Sequence, residues 1–177
     1  MSHTPSGILV VTSVHHGNTM KVAEAMSSAT GMGVHSPGEK ARGLIEAGMT
    51  PFLGSGIFFG HHHSRLLEFA NGLPEVDGSP AFIFSTSGTG LRAARWFGRH
   101  YHRRLAELLE AKGFKIAGEF DCKGFDTYGP WGKLGGVAKG HPNKRDLEMA
   151  EQFAMSVQDA LPPRDIEASN RNRQPAG

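Results

Sequence analysis

The sequence predicts a three-layer α/β domain, a mostly parallel sheet covered by helices on both faces. Two observations predict it. Short apolar runs alternate with helical patterns along nearly the whole chain, and the strand candidates lead into glycine-rich or polar loops. Parallel neighbours require a crossover, and right-handed crossovers through helices cover the sheet. The 177 residues, 38% of them apolar, are enough for one core and too few for two sizeable ones.

The first strand candidate is Gly7 to Thr12, an unbroken apolar run of the kind buried in a parallel sheet. A helical pattern over Asn18 to Ala29 follows, then a short strand around Met32 to His35. Thr50 to Leu53 is the third strand and Ser64 to Ala70 the next helix. Ala81 to Ser85 is the fourth strand, followed by a helix over Arg99 to Lys112 with Leu105, Leu108 and Leu109 on one face. Lys115 to Phe120 is the fifth strand. The last helix, Asn143 to Ala160, carries Leu147, Ala150, Ala154 and Val157 on one face; Asn143 can cap it, and Asp146 suits the positive end of its dipole. The domain is expected to occupy residues 1–160. The polar tail, residues 161–177, is expected to be frayed or disordered.

Composition narrows the function. Cys122 is the only cysteine, which excludes an intramolecular disulfide and any multi-cysteine metal centre. No apolar run approaches the roughly 20 residues of a membrane span, and Met1 to Ser6 carries no Lys or Arg, so a cytoplasmic protein is expected. A net charge of +2 is too mild to imply nucleic-acid binding.

The chemistry gathers in the loops. Ser13, Val14, His15, His16, Gly17, Asn18 and Thr19 connect the first strand to its helix, and such a turn offers hydroxyls and unpaired N–H groups to an anion. The segment is neither a Walker loop nor a dinucleotide fingerprint. After the third strand, Gly54, Ser55, Gly56, Ile57, Phe58, Phe59 and Gly60 allow close backbone approach to a planar ligand beside aromatic rings. Ser85, Thr86, Ser87, Gly88, Thr89 and Gly90 form a hydroxyl-rich loop after the fourth strand. These loops are expected to converge at the strand C-terminal ends, where open parallel sheets bind ligands. A fourth segment, Cys122 to Pro130, opens a connection of roughly 20 residues, longer than compact domains usually need.

Gly17, Asn18, Thr19 and Ala23 match the flavodoxin family's phosphate loop, which reads Ser/Thr-x-Thr-Gly-x-Thr before a helix with Ala four residues after the last Thr. Val14 and His16 stand where that loop carries hydroxyls. The chain more closely resembles a flavodoxin-like branch with Ser-x-His-His-Gly-Asn-Thr, and the Gly-Phe-Asp-Thr-Tyr-Gly-Pro and Gly-His-Pro-Asn segments extend the similarity from Gly7 to about Ala160. The resemblance implies five parallel strands in the order 2-1-3-4-5 and one non-covalent FMN. It places the phosphate on the first loop and one face of the flavin against Phe58 or Phe59, with the third loop and Phe125, Asp126 and Tyr128 bordering the cofactor. Electron carriage between redox partner proteins is the activity implied. The alternatives are an NAD(P)H-dependent flavin or quinone oxidoreductase, and a flavin-free binding module that uses its histidines.

Two further groups bear on those alternatives. His15-His16 and His61-His62-His63 invite a metal reading, but neighbouring histidines point in different directions and no Asp or Glu adjoins either group. Between Arg92 and Arg104 five arginines, His100 and His102 are interleaved with Trp96, Phe97 and Tyr101, a surface suited to an acidic partner or a nicotinamide nucleotide. Cys122 reads as a small buried hydrophobe.

Overall fold

The computed structural model describes residues 6–89, 100–127 and 135–161, and the expected alternation runs through them. β1 (Gly7–Thr12) leads into α1 (Asn18–Thr30), and β2 (Gly33–His35) into α2 (Glu39–Glu46). β3 (Thr50–Phe58) folds back on a two-residue β4 (His61–His62) before α3 (Ser64–Asn71). β5 (Pro80–Ser87) precedes α4 (Arg103–Ala111), and β6 (Lys115–Lys123) precedes α5 (Lys144–Ala160). The sheet order is β2-β1-β3-β5-β6, with β4 attached to β3. With that antiparallel hairpin arm set aside, the parallel strands stand in the expected 2-1-3-4-5 order.

Each face of the sheet has its own core. Ile8, Val10, Leu53 and Ile83 pack against α2, α3 and α4 through Ile45, Leu66, Phe69, Leu105 and Leu109. Leu9, Val11, Phe52, Phe82, Phe84 and Phe120 face α1 and α5, which supply Val22, Ala23, Met26, Ala150 and Ala154. β1 is buried along its whole length, as its unbroken apolar run requires. At the start of α5 a capping box forms: Asp146 N–H donates to Asn143 Oδ1 (3.0 Å) and Asn143 N–H donates to Asp146 Oδ2 (2.8 Å).

The strands reach further than their apolar runs. β3 continues through Gly54, Ser55, Gly56, Ile57 and Phe58, which the sequence assigns to a loop, and only Phe59 and Gly60 form the turn. Register explains it. Gly54 pairs with Phe84, Ser55 with Ser85 and Gly56 with Thr86, and Thr86 and Ser87 continue the strand expected to end at Ser85. A Cβ on Gly54 would lie 2.2 Å from the Phe84 ring, so this glycine serves close packing. β6 likewise takes in Cys122 and Lys123. The helix expected from Arg99 is seen from Arg103, and residues 90–99, 128–134 and 162–177, including the polar tail, lie outside the described residues.

Candidate functional site

The C-terminal ends of β1, β3, β5 and β6 enclose a cleft of about 260 Å³. Twelve of the expected site residues line it: His15, His16, Asn18, Thr19, Gly56, Ile57, Phe58, Thr86, Ser87, Gly88, Phe125 and Asp126. Loops far apart in sequence meet here, as strand order in an open parallel sheet dictates.

A hydroxyl pair borders the cleft. Thr19 on α1 is 2% exposed, and its Oγ1 lies 2.8 Å from Oγ1 of Thr86 on β5. Within such a pair one hydroxyl donates to the other, so one proton remains for a ligand. The N–H groups of Asn18 and Thr19, at the start of α1, have no hydrogen-bond partner among the described residues. The next ones are satisfied: Met20 N–H donates to Ser13 Oγ (3.2 Å) and Lys21 N–H to Gly17 O (3.0 Å). Hydroxyls and unpaired amides at the positive end of a helix dipole make this side of the cleft an anion acceptor.

The turn into α1 is locally strained. His15, His16 and Gly17 have φ of 48°, 37° and 66°, successive left-handed conformations that cost the two histidines about 1–3 kcal/mol each. Contacts across the cleft compensate. His16 Nε2 is 2.8 Å from Thr127 Oγ1 and its ring is 4.8 Å from that of Phe125. Asn18 Nδ2 donates to Phe125 O (2.8 Å), and a Cβ on Gly124 would meet the Asn18 side chain at 2.9 Å. An antiparallel bridge between Asp126 and Val137 ties the same loop to its return segment.

Phe58 and Phe125 supply aromatic surface to the cleft from β3 and from the segment after β6. The Phe58 ring meets His63 edge-on at 5.5 Å and stands 6.4 Å from His15. A Cβ on Gly56 would sit 3.1 Å from the Phe58 ring. Of the two phenylalanines, Phe58 lines the cleft, whereas Phe59 turns outward at φ 50° and is 83% exposed.

The remaining expected residues lie off the cleft. Ser13 and Gly17 shape the turn into α1, with Gly17 at its N-cap, and Gly54 packs on Phe84. Ser55 is consumed within the sheet: its hydroxyl donates to Gly56 O (2.9 Å) and accepts from His63 N–H (3.0 Å) and His62 Nδ1–H (2.8 Å). Ser85 bonds His102 Nε2 (2.8 Å), Gly60 takes φ 86° in the hairpin turn, and Thr89 bonds the Tyr101 hydroxyl (3.1 Å). Gly90 and Tyr128 lie outside the described residues, as do Arg92, Trp96 and Phe97. Val14, Gly124 and Thr127 also line the cleft, unassigned from sequence. Thr127 follows Asp126 in the segment already singled out, and its hydroxyl was the available signal.

The histidine triplet splits three ways. His61 is exposed, His63 accepts the Arg65 N–H at the start of α3, and His62 is buried against Ser55. The His62 ring lies 5.1 Å from the buried His102 ring; burial first, and then that neighbouring imidazole, hold the His62 pKa well below its usual value. No group of three His, Cys, Asp or Glu among the described residues is arranged to hold a metal. Burial, reinforced by Asp146 and Asp121, pushes the Cys122 thiol up to about 12. No helix among the described residues is long and apolar enough to cross a membrane.

No family model matches the chain. It is 35% identical over 150 residues to the uncharacterized protein MJ0298 of Methanocaldococcus jannaschii, an alignment that takes in 85% of this chain and 96% of that one. The fold is similar to that of oxidised flavodoxin 2 from Bacillus cereus (TM-score 0.58, 13% identity, 88% of this chain and 99% of the other). It is equally similar to general stress protein 14 from Treponema denticola, solved in complex with FMN (TM-score 0.58, 11% identity, 88% and 99%).

Proposed function

This chain belongs to one family with the M. jannaschii protein and is flavodoxin-like in fold, and from that premise we propose that it binds one FMN non-covalently and carries electrons between redox partners. The observation that carries the reading is the pairing of an anion acceptor with aromatic walls in one cleft at the sheet's C-terminal edge. The donor set fits FMN. A dianionic phosphate suits the free amides of Asn18 and Thr19 and the proton left over by the Thr19–Thr86 pair. Ile57, Phe58 and Phe125 offer apolar surface to the flavin ring. Asp126 is the one carboxylate among the described lining residues, which also include His15 and His16, so the cleft is not strongly acidic.

Bound FMN would supply one- or two-electron exchange, and the protein's own part is to bind, orient and shield it. Thr19, Thr86 and the first turn of α1 hold the phosphate end. Gly56 leaves room for the Phe58 ring, and the His16–Thr127 and Asn18–Phe125 bonds hold the opposite wall. An absorbance spectrum of the purified protein, before and after addition of FMN and of FAD, tests this. A bound flavin spectrum saturating at one FMN per chain is expected; a colourless protein that takes up neither refutes it. Oxidation of NADPH by the FMN-loaded protein alone would replace the carrier reading with that of an oxidoreductase.

A further inference from the structure

A second cleft, about 300 Å³, adjoins the first and shares His16, Asn18 and Phe125 with it. Lys21, His141 and Pro142 also line it, and no carboxylate does among the described residues. His141 is held in a defined orientation. Its Nδ1–H donates to Asp146 Oδ2 at 2.5 Å, and the same oxygen accepts the Asn143 N–H, so the carboxylate is fixed by the capping box of α5. The backbone is fixed as well, because His141 O accepts the Phe125 N–H (2.9 Å) and His141 N–H donates to Ala138 O (3.1 Å). With Nδ1 committed, Nε2 is the nitrogen left to a ligand, and it has no partner among the described residues. A carboxylate that fixes the tautomer and direction of an imidazole is the arrangement that active sites and metal sites use to aim the other nitrogen. Lys21, one turn into α1, forms no ion pair among the described residues.

We propose that this second cleft binds the phosphate group of a small ligand other than FMN, with Lys21 and His141 as its recognition pair and Asp146 as the residue that positions His141. Two groups arrive from different directions: Lys21 from α1 as a cation, and His141 from the segment before α5, whose Nε2 donates to a phosphate oxygen when the ring is doubly protonated and accepts from a phosphate O–H when it is neutral. That suits a tetrahedral oxyanion. A planar carboxylate is better served by an arginine fork, and no arginine lines the cleft among the described residues. Through the shared His16–Phe125 wall, a ligand held here would lie beside the flavin cleft, which suits a phosphorylated substrate or effector. The proposal does not depend on the first cleft holding FMN.

The test is an NMR titration of the histidine side chains with inorganic phosphate, on FMN-saturated protein and on flavin-free protein, repeated with phenyl phosphate. Saturable shifts of the His141 ring are expected in both forms, with dissociation constants of about 0.1–10 mM. Tighter binding of phenyl phosphate would identify an ester; equal binding would identify the free anion. Lys21→Ala and His141→Asn should each weaken phosphate binding by roughly 5- to 10-fold, about 1–1.4 kcal/mol. Both should leave FMN affinity unchanged. A His141 ring that does not respond to phosphate, a His141 shift undiminished in Lys21→Ala, or a His16 shift undiminished in His141→Asn, would overturn the proposal. So would a loss of FMN affinity in both, which would make the second cleft part of the flavin site. Failure of the flavin reading shows separately, as absent FMN uptake with the phosphate response intact.

Discussion

Replacing Thr19 by Val keeps the side chain's shape and deletes one buried hydroxyl, which separates the proposed phosphate contact from everything else in the cleft. Thr19 Oγ1 lies 2.8 Å from Thr86 Oγ1, and Thr86 is itself only 4% exposed, so Thr19→Val strands a buried hydroxyl. That costs the flavin-free protein about 1–3 kcal/mol, or about 2–4 °C of Tm per kcal/mol for a chain of this size. Loss of a charge-assisted bond to a dianionic phosphate is worth about 1.5–3 kcal/mol, so FMN should bind roughly 10- to 150-fold more weakly. Riboflavin has no phosphate, and its affinity should scarcely change. In the Thr19→Val/Thr86→Val protein both partners are gone, and the stability loss should be smaller than the sum of the single losses. Fluorescence titrations with FMN and riboflavin, alongside thermal melts, read all of these quantities. Equal losses of FMN and riboflavin affinity in Thr19→Val would show that the hydroxyl does not serve the phosphate.

Three other perturbations test the surrounding frame. His62 is buried with its pKa held down, so the unfolded chain takes up a proton below about pH 6.5 that the folded chain refuses; stability should be flat above that pH and fall below it by up to about 1.4 kcal/mol per pH unit. Denaturant melts of His62→Asn, whose amide can keep the bond to Ser55, should show a shallower decline, and an unchanged slope would absolve His62. In Gly88→Ala the new methyl would sit 2.7 Å from Val137 and 3.0 Å from the Asp126 side chain, so the segment after β6 must shift; FMN and riboflavin should both weaken, and unaltered affinity for either would place the cofactor away from this wall. Asn143→Ala removes the cap of α5 and should cost about 1 kcal/mol in a chemical melt, whereas a neutral result would mean that the capping box contributes nothing to stability.

What was legible in the sequence follows from what is local. The unbroken run of β1, the helical face of α5 and its Asn143 cap are written in consecutive residues, and each stands where expected. The helix α2 was not legible: it starts from Gly38, contains Gly43 and buries only Ala41 and Ile45, so its pattern is too short to register. The strand extensions through Gly54–Phe58 and Thr86–Ser87 resemble loops in composition, and become strands through non-local pairing, Ser55 with Ser85, Gly56 with Thr86 and Ser87 with Lys123. The site was half visible for the same reason. Small residues at strand ends announced it, but the contacts that join His16 to Thr127 and Asn18 to Phe125 span more than a hundred residues. Nor does sequence distinguish Phe58 from Phe59; the left-handed turn at Phe59 does.

In the proposed function one FMN occupies the cleft lined by Phe58 and Phe125, with its phosphate at the start of α1. A crystal structure of the protein grown with excess FMN measures this most directly. Flavin density is expected against Phe58 and Phe125, and phosphate density within hydrogen-bond reach of the Asn18 and Thr19 amides and of the Thr19–Thr86 hydroxyl pair. Flavin bound elsewhere, or a cleft without flavin in crystals saturated with FMN, would contradict it.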